Sequence, residues 1–375
     1  MNENLKIILI TGSYPPMRCG VGDYTYQLSK AIRKRQIDIK IYSSLSARLH
    51  ERHTFLRPVV RKWGLLAMLY LVRAIKKAAP DIVHIQYPTL GYGYHLGPQF
   101  LLLLLRLSGI KVVTTVHEFK FARVPRRISL LPFLFWSNAL IFTSEEERSV
   151  VFKALPRVEK KMRDATYVIP VGSNIPVFDQ KTVKRDNGPV VSFFGLFYPG
   201  RRIELVVESF REAHKFHPEL KFRFIGDLHP RYKEYFLKIK KLAAEMLPED
   251  RVEWLLGLTP EEISVAIAES SACVLPFPNG ASFRRTTFIA ALSLGVPAIT
   301  TRGTSTPDDL VDGKNVLFAE DKRTIASKID LILSDKLLAD KLSVNAKILS
   351  TIFLWDRIAG QHLSVYEKAY RAIGA

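Results

Sequence analysis

CVLPFPNGASFRRTTFIAALSLGVPAITT (273–301) is the stretch from which the rest of the chain is read. CVLPF is a short apolar run of strand type, PNGASFRR a polar loop, TTFIAALSL a helix, Gly-Val-Pro a turn, and PAITT the start of a second strand. The loop sets two adjacent arginines, Arg284 and Arg285, just ahead of the helix. A helix N-terminus carries unpaired N–H groups and a partial positive charge, so it suits a phosphate, and guanidinium groups beside it suit a dianion such as a diphosphate. The same residues would also make an ordinary βαβ crossover with a solvated arginine pair, and this stretch alone leaves both readings open.

Working outward, the strand/helix alternation continues on both sides. PVVSFFG (189–195) reads as a strand, GLFYPGRR (195–202) as a loop and IELVVESFREAHKF (203–216) as an amphipathic helix. FRFIGD (222–227) and RVEWLLG (251–257) read as strands around a helix at 232–246, and Thr259-Pro-Glu-Glu carries N-cap and N1-proline signals. Helices at 321–334 and 336–349 follow. Before this half lies PVFDQKTVKRDNG (176–188), polar and irregular, which reads as a linker.

The first half repeats the alternation. Strands are expected at KIILIT (6–11), IDIKIYSS (37–44), DIVHIQYP (81–88), KVVTTVHEF (111–119) and ALIFTS (139–144), and VIPVG (168–172) closes the half. The segment 12–22 reads as a Gly/Pro-rich loop, with a helix from Asp23 to Arg35. Gly20-Val21-Gly22 invites a dinucleotide-binding reading, which fails: position 25 is Thr, the loop after the strand is long, and YSSLS (42–46) offers no ribose-binding acid. A long Gly-containing loop still suits a ligand that approaches the backbone. TLGYGYHLGP (89–98) has the composition of a binding loop; a basic segment at 48–62, an amphipathic helix at 64–79 and a basic loop at 120–129 are also expected. His117 ends an apolar strand, where open α/β sheets bind ligands, although a structural imidazole is the alternative. Two alternations in succession predict two doubly wound α/β domains with the cleft between them as the default site.

Composition agrees with this class. The chain has 375 residues, 47% hydrophobic and 24% charged, enough for two real cores. Two distant cysteines, Cys19 and Cys273, fit a reducing compartment and no structural zinc, and MNENLKIILITG does not read as a secretory signal. The net charge of +19 is uneven: residues 1–164 hold 27 Lys+Arg against 11 Asp+Glu, and the remainder 28 against 25. Such a field attracts nucleic acid, anionic lipid or a polyanionic substrate. No run reaches the roughly 18 apolar residues of a membrane span. GLLAMLYLV (64–72), FLLLLLRL (100–107) and LLPFLFWSNALIF (130–142) read as core elements, yet with their basic flanks they also match a protein that lies on a membrane. Nucleic-acid binding lacks any stacking signature such as an RRM motif.

With these pieces in place the sequence resembles the GT-B-fold glycosyltransferases of glycosyltransferase family four, a retaining, nucleotide-sugar-dependent group. The resemblance runs through SYPPMRCGVGDYTYQLSKAI, DIVHIQYP, VVTTVHE, IFTSEEER, VIPVGSNIP, FFGLFYPGRRIELVVESF, GASFRRTTFIAALSLGVPAIT, DLVDGKNVLF and LWDRIAGQHLSVYEKAYRAI, in that order. It implies two Rossmann-like domains facing across a cleft, an acceptor-binding one over 1–180 with a terminal helix at 355–375 crossing back to it, and a nucleotide-sugar-binding one over 187–354. It implies that His117 faces the donor sugar and that Arg201 stands where the family has a diphosphate-neutralising lysine. The expected catalytic residues are therefore His117 and Arg201. The donor diphosphate is expected at Gly22, Arg201, Arg284, Arg285, Thr286 and Thr287, the donor sugar or nucleotide at Gly195, Asn279 and Ser282, and the acceptor at Gly20, Tyr92 and His95.

The chain also departs from the family pattern. Leu196 stands in place of an arginine, and Ser282 and Ala290 in place of the two glutamates of a Glu-x7-Glu motif. Arg284 and Arg285 are expected to restore the missing positive charge, and Gly-x-Ser-x-Arg-Arg looks like a subgroup trait. The expected activity is hexose transfer from a nucleotide-diphosphate sugar to a glycan or lipid-linked acceptor, in cell-surface polysaccharide or glycoconjugate synthesis. It is expected in the cytoplasm, at an anionic membrane face, without nucleic acid and without a cofactor beyond the sugar nucleotide. No Asp-x-Asp is present, so metal independence is expected. A non-catalytic sugar-nucleotide or glycan-binding homologue is the alternative. A nucleotide-sugar epimerase would need acid/base carboxylates that are not evident.

Overall fold

A computed structural model describes residues 5–17, 19–47, 55–177 and 188–372. The chain divides into two compact units, Met1–Gly172 with Trp355–Ala375, and Ser173–Leu354. Most of the linker expected over 176–188 lies outside the described residues.

In the first unit the elements run β1 (Ile7–Ile10), α1 (Gly20–Arg33), β2 (Ile39–Ser44), β3 (Leu56–Val60), α2 (Leu65–Ala78), β4 (Ile82–Tyr87) and α3 (Gly97–Leu107). They continue with β5 (Lys111–Val116), α4 (Val124–Trp136), β6 (Ala139–Phe142), α5 (Glu145–Ala154), α6 (Pro156–Met162) and β7 (Thr166–Val168). The described strands form one parallel sheet in the order β3-β2-β1-β4-β5-β6-β7. Alternate residues of a strand face opposite sides. Ile8 and Ile10 accordingly enter one apolar cluster, with residues of α2, α3 and α4, while Ile7 and Leu9 enter another, with residues of α1. The sheet is therefore covered on both faces, which is why its strands read as continuous apolar runs.

In the second unit β8 (Val190–Phe194), α7 (Ile203–His214), β9 (Lys221–Gly226), α8 (Lys233–Met246), β10 (Val252–Leu256), α9 (Pro260–Ala268) and β11 (Ala272–Leu275) come first. Then follow α10 (Thr286–Ser293), β12 (Ala298–Thr300), β13 (Leu317–Phe318), α11 (Lys322–Ser334) and α12 (Lys336–Ser350). This parallel sheet has the order β10-β9-β8-β11-β12-β13. Val274 faces one core, and Cys273 and Leu275 the other. The cap signals before α9 close as a capping box: Thr259 Oγ1 accepts from Glu262 N–H, and Glu262 Oε2 accepts from Thr259 N–H.

The last helix, α13 (Trp355–Arg371), belongs to the first unit. It buries Ile358, His362, Leu363, Tyr366 and Ala369, a stripe at helical spacing, and packs on α1.

Three local expectations need correction. The helix after β1 starts at Gly20, not Asp23, so both glycines lie in its first turn. The loop expected at 120–129 is helical from Val124, and Pro132 sits inside α4. The basic segment at 48–62 contains β3 at Leu56–Val60, and its residues 48–54 lie outside the described residues.

Candidate functional site

In each sheet the strand order reverses beside its first strand, between β1 and β4 in one unit and between β8 and β11 in the other. Ligands of open α/β sheets bind beyond the carboxyl ends of the strands at such a point. The loops after β8 and β11 emerge there in the second unit, and the loop after β1 in the first, with His117 following β5.

Gly195 follows β8 and is buried against Gly226, where a Cβ would lie 1.9 Å from the Gly195 carbonyl oxygen. The loop then turns through Gly200 (φ +92°) and Arg202 (φ +54°). Arg202 is tied away by a bond from its guanidinium to the Glu320 carbonyl, 3.0 Å. Its neighbour Arg201 is not. The Arg201 guanidinium stands over the Tyr198 ring at 5.1 Å, and its buried Nε has no hydrogen-bond partner.

The loop after β11 is held against the one after β12. Ala281 N–H donates to Thr301 O (3.0 Å), Phe277 N–H to Thr301 Oγ1 (2.9 Å), and Ser305 N–H to Asn279 O (3.2 Å). Gly280 has φ +84°, and a Cβ there would meet Gly303 N at 2.4 Å, so glycine alone fits this approach. Asn279 is exposed and Ser282 buried, the Ser282 carbonyl accepting from Arg285 N–H at 3.0 Å. Arg285 occupies the N-cap of α10, its guanidinium 5.2 Å over the Phe277 ring. Burial, followed by the charges of Arg201 and Arg284, pushes its pKa down. The three arginines thus share one electrostatic neighbourhood. Neither Arg201 nor Arg285 has a carboxylate partner among the described residues. An arginine stays charged in any accessible range, so the cluster carries a standing repulsion that a bound anion would relieve. Thr286 is exposed in the first turn, and the buried Thr287 Oγ1 has no partner. Arg201, Arg284, Arg285 and Thr287 therefore form a cationic corner at the α10 N-terminus.

The departures from the family pattern have distinct surroundings. Leu196 is 46% exposed, an apolar side chain at the rim of this loop. Ala290 is completely buried in an apolar cluster on α10, where an ionised carboxylate would be costly.

In the first unit the expected residues separate. Gly22 is buried because α1 packs on the β1–α1 loop, and a Cβ would meet Ser13 carbonyl atoms at 3.1 Å, whereas Gly20 is exposed with open space around it. Tyr92 is a correction: it is 1% exposed, stacked on Tyr87 and edge-on to Trp63, with its hydroxyl donating to Ile10 O at 3.2 Å. Its ring is core packing, unavailable to an acceptor. His95 is exposed in the same loop. His117 Nε2 lies 2.7 Å from Gln86 Oε1, and its ring meets Tyr24 edge-on at 5.0 Å.

Sequence reasoning passed over the polar residues behind His117. His84 and Gln86 alternate within apolar β4, two residues apart and so on one face. His84 Nδ1 bonds the Tyr366 hydroxyl and its Nε2 the Thr115 hydroxyl, each at 2.7 Å. His362 Nδ1 lies 2.8 Å from Ile358 O and its Nε2 2.9 Å from the Tyr24 hydroxyl. Burial pushes both imidazoles down, His84 well below its ordinary range and His362 to about 4. Asp23, in the first turn of α1, has its carboxyl raised by burial. Among the described residues no three His, Cys, Asp or Glu side chains gather in a metal-binding arrangement, and no helix is long and apolar enough to cross a membrane.

Comparison with known proteins gives a consistent picture. Residues 174–348 match the family "Glycosyl transferases group 1", and residues 19–170 match "Glycosyltransferase Family 4". No curated protein matches the chain. Among solved structures, a glycosyltransferase from Rickettsia africae is similar over 98% of this chain and 99% of its own, with a TM-score of 0.74 and 16% identity. Sucrose-phosphate synthase from Thermosynechococcus elongatus is similar over 98% and 100%, with a TM-score of 0.68 and 19% identity. Anabaena HepE, solved with UDP and glucose, is similar over 97% and 100%, with a TM-score of 0.68 and 15% identity. At these identities the structures speak to the fold, and the two family matches speak to the lineage: the chain is a glycosyltransferase of the group 1, family 4 type with the GT-B fold.

Proposed function

We propose that this protein is a retaining hexosyltransferase that moves a hexose from a nucleotide-diphosphate sugar to a glycan or lipid-linked acceptor in cell-surface polysaccharide or glycoconjugate synthesis. The observation that carries this reading is the cationic corner of Arg201, Arg284 and Arg285 beside the α10 N-terminus, with Arg201 Nε and Thr287 Oγ1 unpartnered. When the bond between the anomeric carbon and the diphosphate oxygen breaks, negative charge grows on that oxygen. Donors fixed in advance stabilise such charge, one of them contributing about 3–4 kcal/mol in known cases. The acceptor hydroxyl then attacks the same face of the sugar, and its proton passes to the departing phosphate oxygen. His117, held on Gln86, would face the donor sugar, and Gly195, Asn279 and Ser282 would line the sugar or nucleotide. HepE, with its UDP and glucose, supports a uridine nucleotide as the first donor to try. A thermal-shift panel of UDP-, GDP- and ADP-sugars, followed by turnover of the best, tests the reading. Stabilisation by none of them, and no turnover, would overturn it. Activity should survive EDTA, because the arginines supply the positive charge that a metal supplies elsewhere.

The acceptor side is read from α2. Its outer face presents Leu65, Leu66, Leu69 and Tyr70, exposed between the bases Arg61 and Lys62 at one end and Arg73, Lys76 and Lys77 at the other. Bulky apolar side chains framed by cations suit an anionic membrane surface, which supports a reading of the protein at the cytoplasmic membrane face with a lipid-linked acceptor. Flotation with anionic but not zwitterionic liposomes at low salt is the expected result. The buried Ala290 and Ser282, where the family has glutamates, favour a second reading, a non-catalytic sugar-nucleotide or glycan-binding homologue. Binding of a sugar nucleotide without transfer or hydrolysis would decide for it.

A further inference from the structure

The bond from the His117 ring to Gln86 and its edge-on contact with Tyr24 both trace back to α13. Gln86 Oε1 can only accept, so the His117 nitrogen facing it at 2.7 Å, Nε2, carries the proton. The Gln86 amide is oriented in turn by His84, whose imidazole lies 3.2–3.4 Å from Gln86 Nε2. His84 is pinned at Nδ1 by the Tyr366 hydroxyl of α13 at 2.7 Å. On the other side Tyr24 touches His117 edge-on at 5.0 Å and bonds His362 of α13 at 2.9 Å. His84, Gln86, Tyr24, His362 and Tyr366 are all buried, so water does not compete for these bonds. A buried, fully bonded network fixes orientation in a way that a solvated one cannot.

We propose that Gln86 and, through His84, Tyr366 are positioning residues that set the tautomer and ring orientation of His117, so that the C-terminal helix is part of the machinery that prepares this imidazole. They touch no substrate themselves. The role of His117 rests on the proposed function above, but its tautomer does not. An orienting partner behind a functional imidazole holds both the ring plane and the reactive nitrogen, and in metal sites losing such a partner costs 10–100-fold.

The test uses the full-length protein with 15N-labelled histidine, the His117 signals being assigned with His117→Asn. Wild type should show His117 protonated at Nε2. Gln86→Met, close in shape but with only a weak thioether acceptor, should lose that single tautomer, and Gln86→Glu should keep it. Tyr366→Phe should broaden it by loosening His84. With a turned-over donor, Gln86→Met should lower kcat roughly 10–100-fold while donor KM stays within about twofold, and Gln86→Glu should recover most of the rate. A melting temperature like that of wild type separates these effects from unfolding. An unchanged His117 tautomer in Gln86→Met overturns the proposal whether or not any sugar is transferred. A changed tautomer with unchanged kcat overturns the link to catalysis. No transfer by wild type overturns the proposed function and leaves the positioning result standing.

Discussion

Acidification should loosen the first unit through His362, by an amount that follows from its surroundings. The imidazole is completely buried on α13, and burial lowers its pKa from 6.5 to about 4. The ring is held in one neutral form: Nδ1–H donates to Ile358 O at 2.8 Å, so Nε2 accepts from the Tyr24 hydroxyl at 2.9 Å. The ionisable groups around it are Tyr24, Tyr366 and His84, and burial keeps both phenols protonated and His84 neutral, so none offers a negative charge to an imidazolium. The unfolded chain binds this proton more tightly than the folded one. Stability from His362 is therefore full above about pH 6.5 and is lost as pH falls through about 4. At about 1.4 kcal/mol per pH unit the depression amounts to about 3 kcal/mol. With a urea dependence of about 2 kcal/mol per M, this moves the midpoint by about 1.5 M. Trp63, Trp136 and Trp355 lie in the first unit and Trp254 in the second, so fluorescence reports chiefly the unit in question. Carboxylate protonation weakens any variant too, and the comparison must be with His362→Gln, which can still accept from Tyr24 but does not titrate. The variant should start less stable at pH 7 and close most of the gap by pH 4. If the two midpoints move in parallel from pH 7 to 4, the buried imidazole is not the acid-sensitive group and the account of the α13 interface is wrong.

Arg201→Ala and Arg285→Ala should each weaken nucleotide-diphosphate binding by about 10–100-fold in calorimetry, the value of a charge-assisted bond of about 1.5–3 kcal/mol. Their empty folds should be no less stable, since each substitution removes a cation from a like-charged group; unchanged affinity would move the donor site elsewhere. Thr287→Val should keep or raise the melting temperature, because Oγ1 is buried and unpartnered, and should still weaken nucleotide binding; unaltered affinity would make that hydroxyl irrelevant to the ligand. Gly22→Ala brings a methyl to 3.1 Å from Ser13 backbone atoms, which cannot give way as a side chain would. It should cost about 1–3 kcal/mol by chemical denaturation, the usual range for overpacking, and a neutral result would mean that the β1–α1 loop is not seated on the helix.

How much of this was legible in the sequence depends on which interactions are local. Strands buried on both faces announce themselves as continuous apolar runs, and a cap such as Thr259 acts within one turn, so these features could be read directly. The start of α1 could not, because glycine is a poor helix former and only the packing of Gly22 on Ser13 and Tyr14 draws Gly20–Gly22 into the helix. Pro132 sits inside α4 for a similar reason: Phe133 and Leu134 are wholly buried in the core, and tertiary packing overrides the local cost. Tyr92 shows the opposite failure. A Gly/Tyr-rich loop suggests a binding surface, but a tyrosine whose ring finds aromatic partners and whose hydroxyl finds a carbonyl becomes core instead. The network behind His117 was half legible. His84 and Gln86 break the apolar pattern of β4 at positions two apart, which marks a polar seam inside a core. Besides Thr115 and His117 on the neighbouring strand's side, what lies across that seam is Tyr366, 282 residues away in sequence, with His362 beside it, and no spacing rule reaches so far. An interrupted apolar strand thus deserves a search for its polar partner before any exposed loop does, because burial allows few ways of satisfying such groups, while a surface allows many.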